Sequence, residues 1–351
     1  MFRTMSRAAL AGIAASVLAG AASADGVADF YRGRTIIMTV GSEAGGGYDI
    51  YARLLARYLG RYVPGNPSII VQIRAGAASI RATNYVYEVA PQDGTVILAP
   101  NRSAAFAPLL GQSGPQFDPT RLNWLGSMNN EVGIIEISRK AAVKTFEDAR
   151  RTPVTFGATA AGSDGDVYPT LMNNTLGTKF RIVRGYSSSA AIDLAIERGE
   201  VEAQSDSFSS VAKRYPDWRQ AVAIPVQLSL TKHPELPGVP LVTDFIKPEF
   251  VVPGLSVDDV ATAWRIMLIQ KIMGRPFAVG PKVPPERVRA LRAAFDAALA
   301  DPELRAEAAK GRNELIPVSG ERIQTMLSGV TGAPRSAVDI LRNVMSGKGG
   351  G

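Results

Sequence analysis

Two loops and one histidine hold the residues whose types and spacing could do chemistry. "GSEAGGGYDIYARLLARYL" (Gly41 to Leu59) runs side-chain-free backbone into Asp49 and an amphipathic helix. Glycine at a helix start lets main-chain N–H groups approach an anion closely. A phosphate-binding P-loop would need a lysine where Gly47 stands, although Gly41 and Gly46 have the spacing. A dinucleotide fingerprint starting at Gly45 and Gly47 would need a glycine where Ile50 stands, so nucleotide chemistry is unsupported. Two readings stay open: a nest of N–H groups for a carboxylate, and a tight strand-to-helix turn with Asp49 as its cap. "GATAAGSDGD" (157–166) repeats the layout, and Asp164 and Asp166 read as helix caps rather than metal ligands. His233 is the only histidine; it lies in "LTKHPELPG", with no G-x-S-x-G elbow in the chain, and reads as a solvated loop residue. There is no cysteine, which excludes thiol catalysis and cysteine metal sites.

The elements that must position these loops follow an α/β rhythm. "TIIMTV" (35–40), "SIIVQI" (68–73) and "TVILA" (95–99) read as buried parallel strands, with helices from Asp49 and from near Ser79 between them. Ile50, Tyr51, Leu54, Leu55, Tyr58 and Leu59 form one helical stripe, and Arg53, Arg57 and Arg61 follow Asp49 at four-residue steps. A second set starts with "GIIEIS" (133–138) and a capping box at Thr145 and Asp148. It continues with "PVTFGA" (153–158), "FRIVRGY" (180–186), the helix 188–200, "VEAQSDS" and "AIPVQLSL" (223–230). The remainder is mainly helical, with starts at Ser256, Pro284-Pro285, Pro302 and Gly320, and a flexible "SGKGGG" end. Alternation of this kind predicts two doubly wound α/β domains, and the helical portion is expected to return to the first of them, with two crossings between domains.

At 351 residues the chain is long enough for two cores. Arg3 and Arg7, the apolar run Ala8–Leu18 and Ala22-Ser23-Ala24 make residues 1–24 read as a secretory signal peptide. Its removal leaves 37 Lys+Arg against 32 Asp+Glu, a net charge of +5. The basic residues are scattered, which argues against a nucleic-acid surface.

The stretches "FYRGRTIIMTVGSEAGGGYDIYARLLARYLGRYVPGNPSIIVQIRAGAAS", "VAPQDGTVI", "VRGYSSSAAIDLAIERGEVEA", "LTKHPELPGVPLVTDF" and "VPPERVRALRAAFDAALADPELRAEA" resemble the extracytoplasmic receptors of tripartite tricarboxylate transporters, the Bug-family binding proteins. The resemblance implies a type II periplasmic-binding-protein fold: two α/β lobes, a hinge and an interlobe ligand cleft. Lobe 1 would comprise 25–128 and 245–351, and lobe 2 would comprise 129–244. By the same resemblance a small organic carboxylate is held largely by backbone N–H groups of Ser42, Glu43, Gly45, Gly46 and Gly47, with Asp49, and of Ala161, Gly162, Ser163, Asp164 and Gly165. Further contacts fall at Ala78 and Ser79, at the loop Tyr186, Ser187 and Ser188, and at Asp206 after Val201-Glu202-Ala203. Arg74 and Arg102 follow first-lobe strands and could add a distal contact, with solvated loop arginines as the open alternative. The implied partners are the membrane components of such a transporter, with no cofactor, no metal and a monomeric, periplasmic chain.

Two departures from the family pattern stand out. Ala78 takes a glycine's place in Ile73-Arg74-Ala75-Gly76-Ala77-Ala78-Ser79, which restricts that loop, and Glu43 puts an acid beside the carboxylate site. Either the ligand also carries an ammonium or hydroxyl group, or Glu43 points away. A ligand sensor on the same fold is not distinguished by sequence, and a periplasmic enzyme lacks a nucleophile-base pair.

Overall fold

The computed structural model describes residues 26–159 and 162–345; the signal-peptide reading, Ala161 and the "SGKGGG" end lie outside them. The chain divides into two compact units. Of the described residues, the first takes in Gly26–Ala105, Gly114–Met128 and Arg275–Thr325; the second takes in Phe106–Ser113, those of Asn129–Gly274, and Met326–Met345.

The first unit is built on a six-stranded sheet of order β11-β4-β10-β3-β1-β2. Its strands are β1 (Thr35–Val40), β2 (Ser68–Ile73), β3 (Val96–Ala99), β4 (Asn123–Ser127), β10 (Pro276–Val279) and β11 (Val318–Ser319). β1 pairs in parallel with β2 and β3, whereas β10 runs antiparallel to β3 and β4, and β11 to β4. The helix Gly47–Leu59 connects β1 to β2. Its Tyr51, Leu54, Leu55, Tyr58 and Leu59 enter one core with Val288, Leu291 and Phe295 of the helix Pro285–Ala300. Ile50, assigned to the same stripe, is instead exposed. β2 is likewise not buried: it is an edge strand whose residues alternate between exposed and half-buried.

The second unit carries a five-stranded sheet of order β7-β6-β8-β5-β9. Its strands are β5 (Gly133–Ser138), β6 (Val154–Ala158), β7 (Phe180–Arg184), β8 (Ala203–Ser207) and β9 (Val222–Leu228). β6 is parallel to β7 and β8, and β5 is antiparallel to β8 and β9. The topology around β6 repeats that around β1. From each strand a 13-residue helix, Gly47–Leu59 or Asp164–Leu176, leads to a neighbour on one side, and the next strand returns on the other. In α/β sheets such a reversal marks the carboxyl ends of the strands beside it, here β1 in one unit and β6 in the other, as the place where ligands bind.

Residues 245–274 and 326–345 group with the second unit, not with the first as the sequence reading has it. The packing gives the reason. In the helix Val257–Ile272, Trp264 Nε1 donates to Thr175 Oγ1 at 3.0 Å, and the Met267 carbonyl accepts the Tyr168 hydroxyl at 3.2 Å. A further helix, Arg335–Met345, buries Ala337, Val338, Leu341 and Val344. The chain accordingly passes between the units more than twice.

Candidate functional site

In the first unit a small hydrogen-bond network joins three loops at the carboxyl ends of β1 and β3. The wholly buried Ser79 Oγ donates to the Gly41 carbonyl at 2.9 Å and accepts the Asn101 N–H at 2.8 Å. A Cβ on Gly41 would lie 2.4 Å from that Oγ, so the close approach demands glycine. Asn101 Oδ1 accepts from the Tyr48 hydroxyl at 3.1 Å, and the Tyr48 oxygen accepts the Arg102 N–H at 3.2 Å. Ser42, Glu43, Gly45, Gly46, Gly47, Asp49, Ala78, Ser79 and Arg102 therefore come to one end of one sheet. Ser42 Oγ is buried and makes no hydrogen bond among the described residues. Glu43 is exposed, and its carbonyl accepts the Gly46 N–H at 3.4 Å.

The loop restricted by Ala78 has positive φ at its last four residues. Gly76, Ala77, Ala78 and Ser79 have φ of 129°, 47°, 49° and 76°. Three successive residues with a Cβ in that region carry strain that the Ser79 network must hold in place. Arg74, next to this loop, lies with its guanidinium 3.7 Å from the Tyr85 ring centre.

Asp49 and Asp166 brace the two glycine turns in the same way. Gly45 and Gly162 both have φ of 78° and donate their N–H to Asp49 Oδ2 and Asp166 Oδ2, each at 2.8 Å. The following residues, Gly46 and Ser163, are extended and cap the helices without a side-chain bond. An arginine then takes the other carboxylate oxygen: Arg53 Nε at 2.8 Å from Asp49 Oδ1, and Arg184 Nε at 2.7 Å from Asp166 Oδ1. Burial pushes the Asp49 carboxyl up, but the Arg53 bond and charge and the Gly45 N–H outweigh it and hold it below its ordinary value. With the caps turned inward, the loop backbone is left facing outward: Gly45, Gly46, Gly47 and Gly162 are exposed.

The second unit also brings Tyr186, Ser187 and Ser188 to the end of β6. Gly185 N–H donates to the Thr159 carbonyl at 3.1 Å and Tyr186 N–H to the Ala158 carbonyl at 3.3 Å. Tyr186 packs on the cluster of Ile192, Ala195, Ile196 and Val201, and Ser188 caps the helix Ser189–Arg198 by accepting the Ala191 N–H at 3.2 Å. Asp206 sits at the carboxyl end of β8 with its side chain turned into a buried cluster. Arg214 reaches Asp206 Oδ2 at 3.2 Å, Asp193 Oδ2 at 2.7 Å and both Glu136 oxygens at 3.0 and 3.1 Å. Three carboxylates thus share one guanidinium. Burial, opposed by Arg214, raises the Glu136 carboxyl to about 7 and also lifts Asp193 and Asp206.

Two cations stand behind the glycine loops, and sequence reasoning missed both. Arg275 lies over the rings of Tyr48 and Tyr51, at 4.8 and 5.2 Å, and a Cβ on Gly47 would come within 3.2 Å of its Nη2. Lys271 pairs with Asp164 in the second unit. Nothing in their local spacing marks them; they come from the end of a helix and the turn after it, far along the chain. His233 is half-buried rather than fully solvated: its ring centre lies 4.6 Å from that of Phe208, its Nδ1 accepts the Glu235 N–H at 3.2 Å, and burial lowers its pKa.

No protein-family model matches the chain. It is 24% identical over 217 residues to a UPF0065 protein of Bordetella bronchiseptica, a match over 60% of this chain and 64%, less than two thirds, of that relative. A TctC solute-binding protein from Polaromonas has a TM-score of 0.68 at 17% identity, over 90% of this chain and 99% of its own. An R. palustris protein with adipate has a TM-score of 0.58 at 19% identity, over 88% of this chain and 97% of its own. The fold is that of the TctC-type solute-binding proteins, as the quoted motifs imply.

Proposed function

We propose that this chain is a periplasmic solute receptor that captures a small organic carboxylate and presents it to the membrane components of a tripartite tricarboxylate-type transporter. The observation that carries the reading is the matched pair of glycine turns at Gly45 and Gly162, each braced by an inward aspartate and each placing exposed glycine backbone at a helix start. Main-chain N–H groups at such a start hold an anion by charge-assisted bonds that offset its desolvation. The adipate of the R. palustris neighbour is a ligand of this class. Gly45, Gly46 and Gly162 use their own N–H groups inside the turns. The proposed main-chain contacts are therefore Ser42, Glu43 and Gly47 and the residues Ser163 to Gly165, with Ala78, Ser79, Tyr186, Ser187 and Ser188 lining their surroundings and Arg102 as a distal contact. Asp206, held by Arg214, acts through the shape of the β8 end.

The N-terminal pattern supports export, and no helix among the described residues is long and apolar enough to cross a membrane. Native mass spectrometry of freshly purified protein, followed by a thermal-shift screen of carboxylates, tests the reading. A co-purifying small acid and a rise in melting temperature with di- or tricarboxylates are expected. A chain that no carboxylate stabilises would end the proposal.

A further inference from the structure

Lys271 occupies a slot built for an ammonium. Its side chain is 2% exposed and ends on Asp164 Oδ2, while Nζ lies 4.9 Å from the centre of the Tyr168 ring. Across the slot is Gly133, where a Cβ would stand 3.2 Å from Nζ. The end of the helix Val257–Ile272, the start of β5 and the helix Asp164–Leu176 all shape this space. A lysine so far from water is costly unless a carboxylate accompanies it.

Asp164 is the unexpected member of the pair. It opens a helix at a turn whose backbone offers N–H groups to an anion, and its side chain is 46% exposed. An uncompensated carboxylate there would repel the carboxylate the turn is read to receive, since like charges held close together near a protein surface oppose each other strongly. The first glycine turn has Gly47 at the corresponding place, two residues before its bracing aspartate, and so no acid there.

We propose that Lys271 is a specificity-determining residue that cancels the Asp164 charge from behind the loop and so keeps the turn Gly162–Asp166 receptive to anions. The inference rests on the carboxylate-receptor reading. It makes the preference of the second half-site a property of a buried pair rather than of the backbone alone.

Titration calorimetry of the full chain with succinate, malate and adipate tests it. If the wild type binds none of them, the receptor reading itself falls and this inference with it. Where the wild type binds, Lys271→Met is expected to weaken affinity at least tenfold, and Lys271→Met with Asp164→Asn to recover to within about threefold. An unchanged single variant, or a folded double variant that stays weak, overturns the proposal. If Lys271→Met does not fold, Asp164→Asn alone decides: with the lysine charge uncancelled, binding tightens, and a tenfold loss overturns the proposal.

Discussion

Gly45 and Asp49 stand four residues apart and close on each other, the glycine N–H meeting Asp49 Oδ2 at 2.8 Å while Arg53 takes Oδ1. The carboxylate is thereby spent on the protein's own loop. An acid that looks like a ligand contact in the sequence becomes the clamp that fixes the exposed glycine turn at the helix start. The same clamp at Gly162 and Asp166, with Arg184 in place of Arg53, marks it as a design element of both units.

Asp49→Asn is expected to cost about 1–2 kcal/mol at neutral pH, because the charge-assisted bonds to Gly45 and Arg53 weaken inside a buried site. The folded carboxyl is held below its ordinary value despite burial. Its contribution is therefore present above about pH 4, the unfolded value, and is lost as pH falls through the folded one. Denaturant unfolding of both proteins at pH 7 and pH 3 checks this; a difference that persists undiminished at pH 3 contradicts it.

Ala78→Gly is expected to stabilise the protein by up to about 1 kcal/mol. Ala78 sits at φ 49° between two other non-glycine residues of positive φ, and relief of that strain outweighs the extra chain entropy of glycine. Thermal unfolding of the two proteins measures it. A lower melting temperature for Ala78→Gly would mean that the alanine fits this backbone without strain.

The Glu136 cluster predicts a pH dependence of opposite sign to that of Asp49. A carboxyl whose folded value is about 7 keeps a proton that the unfolded chain releases near pH 4.5. Stability from this group is therefore present at low pH and declines between about pH 4.5 and 7, by a few kcal/mol at most. Asp193 and Asp206, raised for the same reason, add in the same direction, while Arg214 opposes all three. Urea unfolding should show less stability at pH 8 than at pH 5, with a shallower difference in Glu136→Gln. Parallel pH profiles for the two proteins would remove Glu136 as the source.

Much of this arrangement was legible from local patterns. β1, β2 and β5 begin and end where their apolar runs do, and the box at Thr145 and Asp148 is formed as read. What stayed hidden depends on partners distant in sequence. β4, β10 and β11 are short, and "NWLGS", "PFAV" and "VS" offer no period to detect. The helix Arg335–Met345 has an apolar spacing at 337, 338, 341 and 344, but it abuts the glycine-rich end, whose composition reads as a flexible tail. Arg184 and Arg214 look like ordinary surface arginines until the fold supplies Asp166 and the acidic cluster.

Gly45 and Gly47 lie two residues apart and are glycine for different reasons, which a pair of alanine variants separates. At Gly45 the backbone has φ 78° with open space around a Cβ, so Gly45→Ala should cost about 1–2 kcal/mol through backbone strain alone. At Gly47 the backbone is ordinary helix, and the new methyl would meet only the far end of the Arg275 side chain, which can move. Gly47→Ala should therefore melt within a degree or two of wild type while binding carboxylates several-fold more weakly, since the methyl stands at the exposed helix start and displaces the nearby guanidinium. Melting curves and calorimetric titrations on both variants distinguish the roles. Equal loss of stability in the two, or full carboxylate affinity in Gly47→Ala, would remove the first glycine turn from the binding surface.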